Sequence, residues 1–152
     1  MMVIDNKIFF PENKNVKIDR LLEFTVESGA EKLEKVNNEW RMTWDESKPI
    51  AVSLVKSMID SIKIEPNIHK GYVHPPSYRH HLGRIAYFVK NPSEIQSVSV
   101  WQDTRYVELK DEPVLFINDG YHRLMAALVL NWDSINIDFY GLPIVLEHLA
   151  SD

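Results

Sequence analysis

The stretch from residue 114 to residue 130 constrains the fold more than any other part of the chain. A short apolar run at 114–117 is followed at once by Asn118-Asp119-Gly120, and then by residues 124–130, which are apolar on nearly every side of a helix. The first run predicts a short buried strand and the second a buried helix. A strand, a tight turn and a helix in direct succession indicate a protein in which strands and helices mix.

The turn in this stretch has the chemistry of an anion site. Gly120 can adopt a positive φ and lets a ligand approach the backbone closely. The first N–H groups of the following helix lack intrahelical partners and lie at the positive end of its dipole, where anions bind readily. His122 and Arg123 add donors, and a guanidinium matches phosphate oxygens. Asp119 is the candidate catalytic residue, although it is equally suited to cap the helix.

The alternative for this turn is an ordinary Asp-Gly corner followed by a surface ion pair at Arg123. The spacing of its glycine is not that of the P-loop, and glycine turns at helix starts are common. The residues by themselves therefore leave a phosphate site and a plain turn about equally open.

Patterning in the N-terminal half predicts strands, helices and one loop. Residues 3–10 have the β-branched and aromatic content of a strand that ends at Pro11. Residues 17–36 carry an apolar face at helical spacing, which predicts either one helix or two helices divided at Gly29. The other predicted elements of this half are a strand at 40–44, a helix at 47–62 capped by Ser47, and a proline-rich loop at 65–77.

The C-terminal half has a more regular pattern. Its predicted elements are a helix from Ser77 to Val89 ended by Asn91-Pro92, a hairpin of strands at 97–101 and 106–109, the strand–turn–helix already described, a strand at 135–140 and a helix at 143–150. This order is mixed α/β. We predict one domain over residues 1–152, with a core at 77–152 and an N-terminal helical extension at 1–70.

Composition and charge limit the classes of function. The chain has no cysteine, which excludes disulfides, thiolate metal sites and a cysteine nucleophile. Residues 1–76 carry 11 basic and 12 acidic side chains and residues 77–152 carry 6 and 10, giving net charges of -1 and -4. No Lys/Arg stripe is available for phosphate backbones, so general DNA binding is not expected. The start of the chain lacks a signal-peptide pattern and the apolar runs are short, so we expect a cytoplasmic protein without membrane spans.

Residues 117–127 resemble the signature of the ParB/sulfiredoxin superfamily. That signature is an apolar strand, then Asp or Gly followed by Gly-x-His/Arg-Arg, then a helix with small residues one turn in. The helix at 78–90 and the strand at 95–100 that precede it, and the strand at 135–139 that follows it, are similar to the family's frame. The resemblance covers roughly residues 77–140 and implies a small mixed sheet with helices.

The resemblance implies that the turn holds the phosphates of a nucleotide, ATP or CTP, with Mg²⁺. By position, Gly120, Tyr121, His122 and Arg123 would contact it. Tyr121 stands where sulfiredoxin has its reactive cysteine, which excludes sulfiredoxin chemistry. ParB proteins proper have Glu-Arg-Arg where this chain has Tyr-His-Arg, so DNA clamping of that type is not expected either.

A second group of polar donors lies at the start of the predicted helix at 78–90. Arg79 and His80 are candidates for a second phosphate contact or a contact to the base, and the alternative is a solvated helix end. His80 and His81 are adjacent, so on a helix they point about 100° apart and do not chelate one metal together. The other histidines do not occur at the spacing of a known metal-binding motif, so we expect no structural metal.

Three classes of function remain from the sequence. The first is a nucleotide-binding domain that is either an NTPase or a small-molecule kinase, which the resemblance implies. The second is a non-catalytic module with a degenerate phosphate turn, in which the amphipathic N-terminal segments bind a protein partner or a second copy of the chain. The third, a nuclease, is disfavoured because neither a basic track nor a metal-binding set of carboxylates is evident.

Overall fold

The computed structural model describes residues 2–4, 7–26, 31–44, 48–66, 78–103 and 112–151, and these form a mixed α+β structure. The strands are β1 (Met2–Ile4), β2 (Lys7–Phe9), β3 (Glu12–Lys17), β4 (Glu31–Val36), β5 (Glu39–Trp44), β6 (Ile50–Ala51), β7 (Val98–Gln102), β8 (Leu115–Asp119) and β9 (Ser134–Tyr140). The helices are α1 (Ile18–Phe24), α2 (Val52–Met58), α3 (Tyr78–Lys90), α4 (Tyr121–Val129) and α5 (Pro143–Ala150), with a 3₁₀ turn at Pro92–Glu94. The coarse prediction of a mixed α/β protein is confirmed, and the ParB/sulfiredoxin-like arrangement stays a prediction.

The chain forms two compact units. The first consists of Met1–Val26, Gln96–Tyr121 and Trp132–Asp152, and the second of Glu27–Ile95 and His122–Asn131. Helix α4 therefore has its first residue, Tyr121, in the first unit and its remaining residues in the second. That the two units make up one domain stays a prediction. Within the described ranges, every helix is too short or too polar to cross a bilayer.

The first unit is built on a four-stranded mixed sheet in the order β3-β9-β7-β8. β3 and β8 run antiparallel to their neighbours, while β7 and β9 are parallel. Side chains alternate along β9, where Ile135, Ile137 and Phe139 are buried and Asn136 between them is exposed. Such alternation is the pattern of a sheet with one face in the core. Helices α1 and α5 pack against β3.

The second unit contains a three-stranded antiparallel sheet in the order β4-β5-β6, together with α2, α3 and most of α4. The β4–β5 hairpin turns at Asn37 and Asn38, whose φ values are 52° and 63°. Asparagine tolerates this left-handed region better than most residues, and two successive positive φ values suit a tight hairpin turn. Helix α4 is buried on most sides, as its sequence predicts.

Three predictions in the N-terminal half are wrong. Residues 3–10 are not one strand, because β1 and β2 pair antiparallel with each other. Of the helix predicted at 17–36, α1 accounts for residues 18–24, whereas residues 31–36 form β4 paired along its length with β5. The helix predicted at 47–62 begins later, after the short strand β6, and ends at Met58. The described part of residues 1–66 therefore contains six strands and two short helices, rather than a helical extension.

The other predicted elements agree with the structure where it describes them. The confirmed predictions are the strand at 40–44, the helix over 78–89, the strands at 97–101, 114–117 and 135–140, the helix at 124–130, which starts earlier at Tyr121, and the helix at 143–150. Ser47, Ser77, the strand at 106–109 and most of the loop at 65–77 lie outside the described residues.

Candidate functional site

The strand–turn–helix predicted from the sequence is present. Strand β8 ends at Asp119, and Gly120 follows with a φ of 114°. This value lies in the region that side chains with a Cβ rarely adopt, which explains why glycine stands there. Helix α4 then begins at Tyr121, whose side chain is buried at 6% exposure. Asp119 is exposed, so the candidate catalytic carboxylate is accessible to solvent.

Beside the first turn of α4, within the second unit, lies a cluster of four rings. It consists of Trp44 at the end of β5, His80 and His81 in the first turn of α3, and His122. The indole of Trp44 lies almost parallel to both His81 and His122, at centroid distances of 4.3 and 4.8 Å. His80 meets the rings of His81 and His122 edge-on. We refer to these four residues as the histidine cluster.

His81 and His122 form a hydrogen-bonded imidazole pair. Nδ1 of His81 lies 2.8 Å from Nε2 of His122, while the two centroids are 5.1 Å apart and the ring planes differ by 19°. Because the two nitrogens are close while the ring centroids are far apart, the rings meet at their edges. Since their planes are also nearly parallel, the two rings lie side by side in nearly one plane. Both lie against the indole of Trp44. A bond between two imidazole nitrogens needs one donor and one acceptor, so the pair shares one proton across this contact.

The local sequence explains how the cluster is placed. Met42 and Trp44 alternate with more exposed residues along β5, which directs both into the core of the second unit. His80 and His81 occupy successive positions on α3, and both are buried. His122 is the second residue of α4, where the helix start directs it toward His81.

Burial and neighbouring positive charge lower the pKa of His122 from its ordinary value of 6.5 to about 3. Burial is the largest cause, and the remaining contributions come from His81, Arg84, His80 and Arg123, in that order. Near neutral pH His122 is therefore an uncharged imidazole. It can donate or accept a hydrogen bond but does not supply a cation.

A buried guanidinium lies near the cluster on α3. Arg84 is 9% exposed, donates from Nη1 to the backbone oxygens of Glu65 and Pro66 at 3.2 and 2.7 Å, and covers the ring of Phe88 at 4.7 Å. Its Nε has no hydrogen-bond partner among the described residues. Burial is the main cause that lowers the pKa of Arg84, and Arg123 lowers it further. Arginine nevertheless stays charged in proteins, so a cation persists here.

A close approach of the chain to α3 fixes this guanidinium. The N–H of Glu65 donates to the carbonyl of Gly83 at 3.0 Å. A Cβ at Gly83 would lie 2.7 Å from the carbonyl oxygen of Lys63, closer than side chains tolerate. Glycine at this position therefore lets residues 63–66 lie against the helix and present their carbonyls to Arg84.

The structure brings two of the sequence-predicted site residues, His80 and His122, together in the histidine cluster. Arg79 is exposed on α3. The sequence reasoning missed Trp44 and the pairing of His81 with His122. The alternating pattern at residues 40–44 was the available signal that Trp44 faces inward. Among the described residues, no group of three metal-ligating side chains is arranged to hold a metal ion.

Comparison of the chain with protein-family models, with curated proteins and with solved structures finds no match. The relation of residues 117–127 to the ParB/sulfiredoxin superfamily therefore stays a prediction. A function has to be argued from the geometry and charge of the site itself.

Proposed function

We propose that this protein binds a nucleoside di- or triphosphate, ATP or CTP with Mg²⁺, through the N-terminal end of α4. The observation that carries the proposal is Gly120, which enters a nine-residue helix with a φ of 114°. Gly120 has no Cβ that would keep an anion away from the first N–H groups of the helix, which lack intrahelical partners. The helix dipole adds to the attraction.

Fixed positive charge at the same end of the helix supports an anionic ligand. Burial is the largest cause of the low pKa of His122, and the guanidinium groups of Arg84 and Arg123 are among the charges that lower it further. Arg84 donates hydrogen bonds to the backbone carbonyls of Glu65 and Pro66, and the Glu65 carboxylate favours its charged form. A phosphate group would add negative charge, and a guanidinium binds it with charge-assisted hydrogen bonds.

The residues would then have different roles. Arg123 and the backbone N–H groups after Gly120 contact the phosphates, and Arg79, exposed on α3, adds a further cation. His122 acts as a neutral hydrogen-bonding group, held in place by His81, and His80 packs beside the pair. Tyr121 is buried, so it contributes its backbone N–H rather than its ring.

Substitution of Arg123 tests the binding proposal. ATP, CTP, GTP and ADP, each with Mg²⁺, are titrated calorimetrically, and the shift in melting temperature is measured in parallel. At least one nucleotide is expected to stabilise the wild type, and Arg123→Ala is expected to weaken its binding about tenfold or more. This is the loss expected for a charged hydrogen bond of about 1.5–3 kcal/mol.

Lys90→Ala is the matched control, because it removes one positive charge from the exposed last turn of α3. It should leave nucleotide affinity within about twofold, as expected for a screened surface charge. The proposal fails if none of the four nucleotides raises the melting temperature of the folded protein at millimolar concentration. Equal losses in the two variants would show a general charge effect instead of a phosphate contact.

A phosphoryl-transfer activity would extend this function. Such reactions depend mainly on positioning and charge neutralisation, and they also need a group that orients the attacking oxygen. Asp119, exposed at the end of β8, is the candidate. Release of inorganic phosphate from the bound nucleotide would support a catalytic role, and its absence in the presence of tight binding would make the protein a nucleotide-binding module.

One observation favours a non-catalytic module with a degenerate turn. Tyr121 is buried at 6% exposure, and His122 already has a partner in His81. The side chains of Tyr121 and His122 are thus engaged within the protein. If nucleotides do not bind, this second function is the better account, and the turn then serves to connect β8 to α4.

A further inference from the structure

The outer face of the four-stranded sheet in the first unit carries a set of side chains that the proposed phosphate contacts do not include. The inner face is apolar, as shown by buried Val98 and Val100 on β7 and by Ile137 on β9. Because side chains alternate along a strand, the residues between these buried ones point to the opposite, outer face of the sheet. The outer-face residues are Asn13, Asn15 and Lys17 on β3, Ser134, Asn136, Asp138 and Tyr140 on β9, Ser99 and Trp101 on β7, and Phe116, Asn118 and Asp119 on β8, where a bulge places Asp119 opposite Ser99.

Three aromatic side chains form a row across this face. Trp101 is paired in register with Tyr140 on β9 and with Phe116 on β8, so the three lie side by side on adjacent strands. The rings of Trp101 and Tyr140 have centroids 5.3 Å apart with planes tilted by 43°. Trp101 is 38% exposed, although tryptophan is highly buried on average. At a strand spacing of about 4.8 Å, the row extends over roughly 10 Å.

Beside the aromatic row lies an ordered set of amides and hydroxyls. Nδ2 of Asn13 donates to Oδ1 of Asp138 at 2.9 Å and also bonds the hydroxyl of Ser97. Nδ2 of Asn15 donates to Oδ1 of Asn136 at 3.0 Å. These bonds fix the amide planes while leaving the carbonyl oxygens of Asn13 and Asn15 without a partner among the described residues. The surface therefore presents preorganised donors and acceptors next to the exposed ring of Trp101 and the partly buried ring of Tyr140.

The charge of the face narrows the class of ligand. Among the described outer-face residues, Lys17 is the basic one, and it pairs with Ser134, at the other end of β9 from Tyr140. Asp138 and Asp119 are acidic, and both lie opposite Ser99, two residues before Trp101 on β7. Binding of a single-stranded nucleic acid combines stacking with a positively charged groove, which this face lacks. A ligand that stacks on rings and is uncharged fits better.

We propose that this face binds a neutral oligosaccharide. The C–H face of a pyranose packs against an aromatic ring, and sugar hydroxyls both donate and accept hydrogen bonds, as side-chain amides and carboxylates require. Trp101 and Tyr140 are the stacking residues, and Asn13, Asn15 and Asp138 bind hydroxyls. The proposal is independent of nucleotide binding, because it uses none of the residues at the start of α4.

The test uses three defined probes, maltohexaose, cellohexaose and chitohexaose. Each is titrated into the full chain by calorimetry and by tryptophan fluorescence. At least one is expected to bind at submillimolar to millimolar concentration, and Trp101→Ala is expected to weaken that binding about tenfold or more. Tyr140→Ala, measured in parallel, should also weaken sugar binding. If Trp101→Ala does not fold, the affinity of Tyr140→Ala tests the proposal instead. Trp40→Ala, which removes a tryptophan from β5 in the second unit, is the control and should leave affinity unchanged.

Several results would overturn the proposal. One is that none of the three sugars binds at millimolar concentration. Another is sugar binding that Trp101→Ala and Tyr140→Ala both leave unchanged.

Two further results would assign the face to another occupant. A single-stranded oligouridylate that binds in a Trp101-dependent manner would assign the face to nucleic acid. Self-association that Trp101→Ala abolishes would assign it to an interface between copies of this chain. Nucleotide affinity measured with Trp101→Ala should equal that of the wild type, which separates this test from that of the α4 site.

Discussion

Replacing Trp44 with alanine is expected to lower the free energy of unfolding by about 3–5 kcal/mol, the usual cost of truncating a buried aromatic side chain. Trp44 is 5% exposed, and its indole lies against both imidazoles of the His81–His122 pair. The substitution removes this packing and also opens the pair to water. Because small proteins have a total stability of about 5–15 kcal/mol, the loss should be large in urea unfolding followed by circular dichroism.

Trp40→Ala is the matched control for this prediction. Trp40 is on the same strand and is partly exposed, with the ammonium of Lys35 at 5.8 Å from its ring. An exposed cation–π contact of this kind contributes about 0.5–1 kcal/mol. If both variants lost similar stability, the indole of Trp44 would not be the packing centre of the histidine cluster, and the site would have to be reconsidered.

The elements that sequence patterning predicts well are those whose signals agree with each other. Helix α5 begins with Pro143 in its first turn and carries apolar residues at helical spacing. Both features indicate the same start, and the predicted and observed bounds coincide. Helix α3 likewise ends at Lys90, before Asn91-Pro92. In these cases local chemistry and tertiary packing favour the same conformation.

Residues 31–36 show how local signals fail. Glu, Lys and Leu favour a helix, and Leu33 and Val36 lie at helical spacing. The same residues also pair as β4 with every residue of β5, and this cross-strand pairing decides the conformation. The overlooked signal was Asn37-Asn38, a dipeptide that takes two positive φ values and closes the hairpin.

The candidate site likewise contains one part that the sequence predicts and one part that it does not. The turn at Gly120 follows from neighbouring residues, so its conformation could be predicted. The His81–His122 pair joins residues 41 positions apart, and Trp44 comes from a different strand again. No local pattern encodes that contact, because it depends on how β5, α3 and α4 pack within the second unit. The low pKa of His122 is a consequence of this packing and was therefore also beyond prediction.

The stability of the protein is expected to fall as the pH is lowered from about 6.5 toward 3. The pKa of His122 is about 3 in the folded chain because of burial, whereas an unfolded chain restores the ordinary 6.5. Between these values the unfolded chain binds more protons than the folded one, so acid favours unfolding. His122 alone contributes a slope of up to about 1.4 kcal/mol per pH unit in this window. Urea unfolding at a series of pH values measures the slope.

Comparison with His122→Gln isolates this contribution from that of the carboxylates, which titrate in the lower part of the same window. Glutamine keeps a side chain that can donate to and accept from His81, yet it does not titrate. The variant is therefore expected to show a shallower slope between pH 6.5 and 4, whatever its absolute stability. Superimposable slopes for wild type and variant would mean that His122 titrates alike in the folded and unfolded chains, and that burial does not keep the His122 ring neutral. An NMR titration of the His122 ring protons distinguishes these outcomes directly, since a buried neutral ring keeps its chemical shift down to the pH at which the protein unfolds.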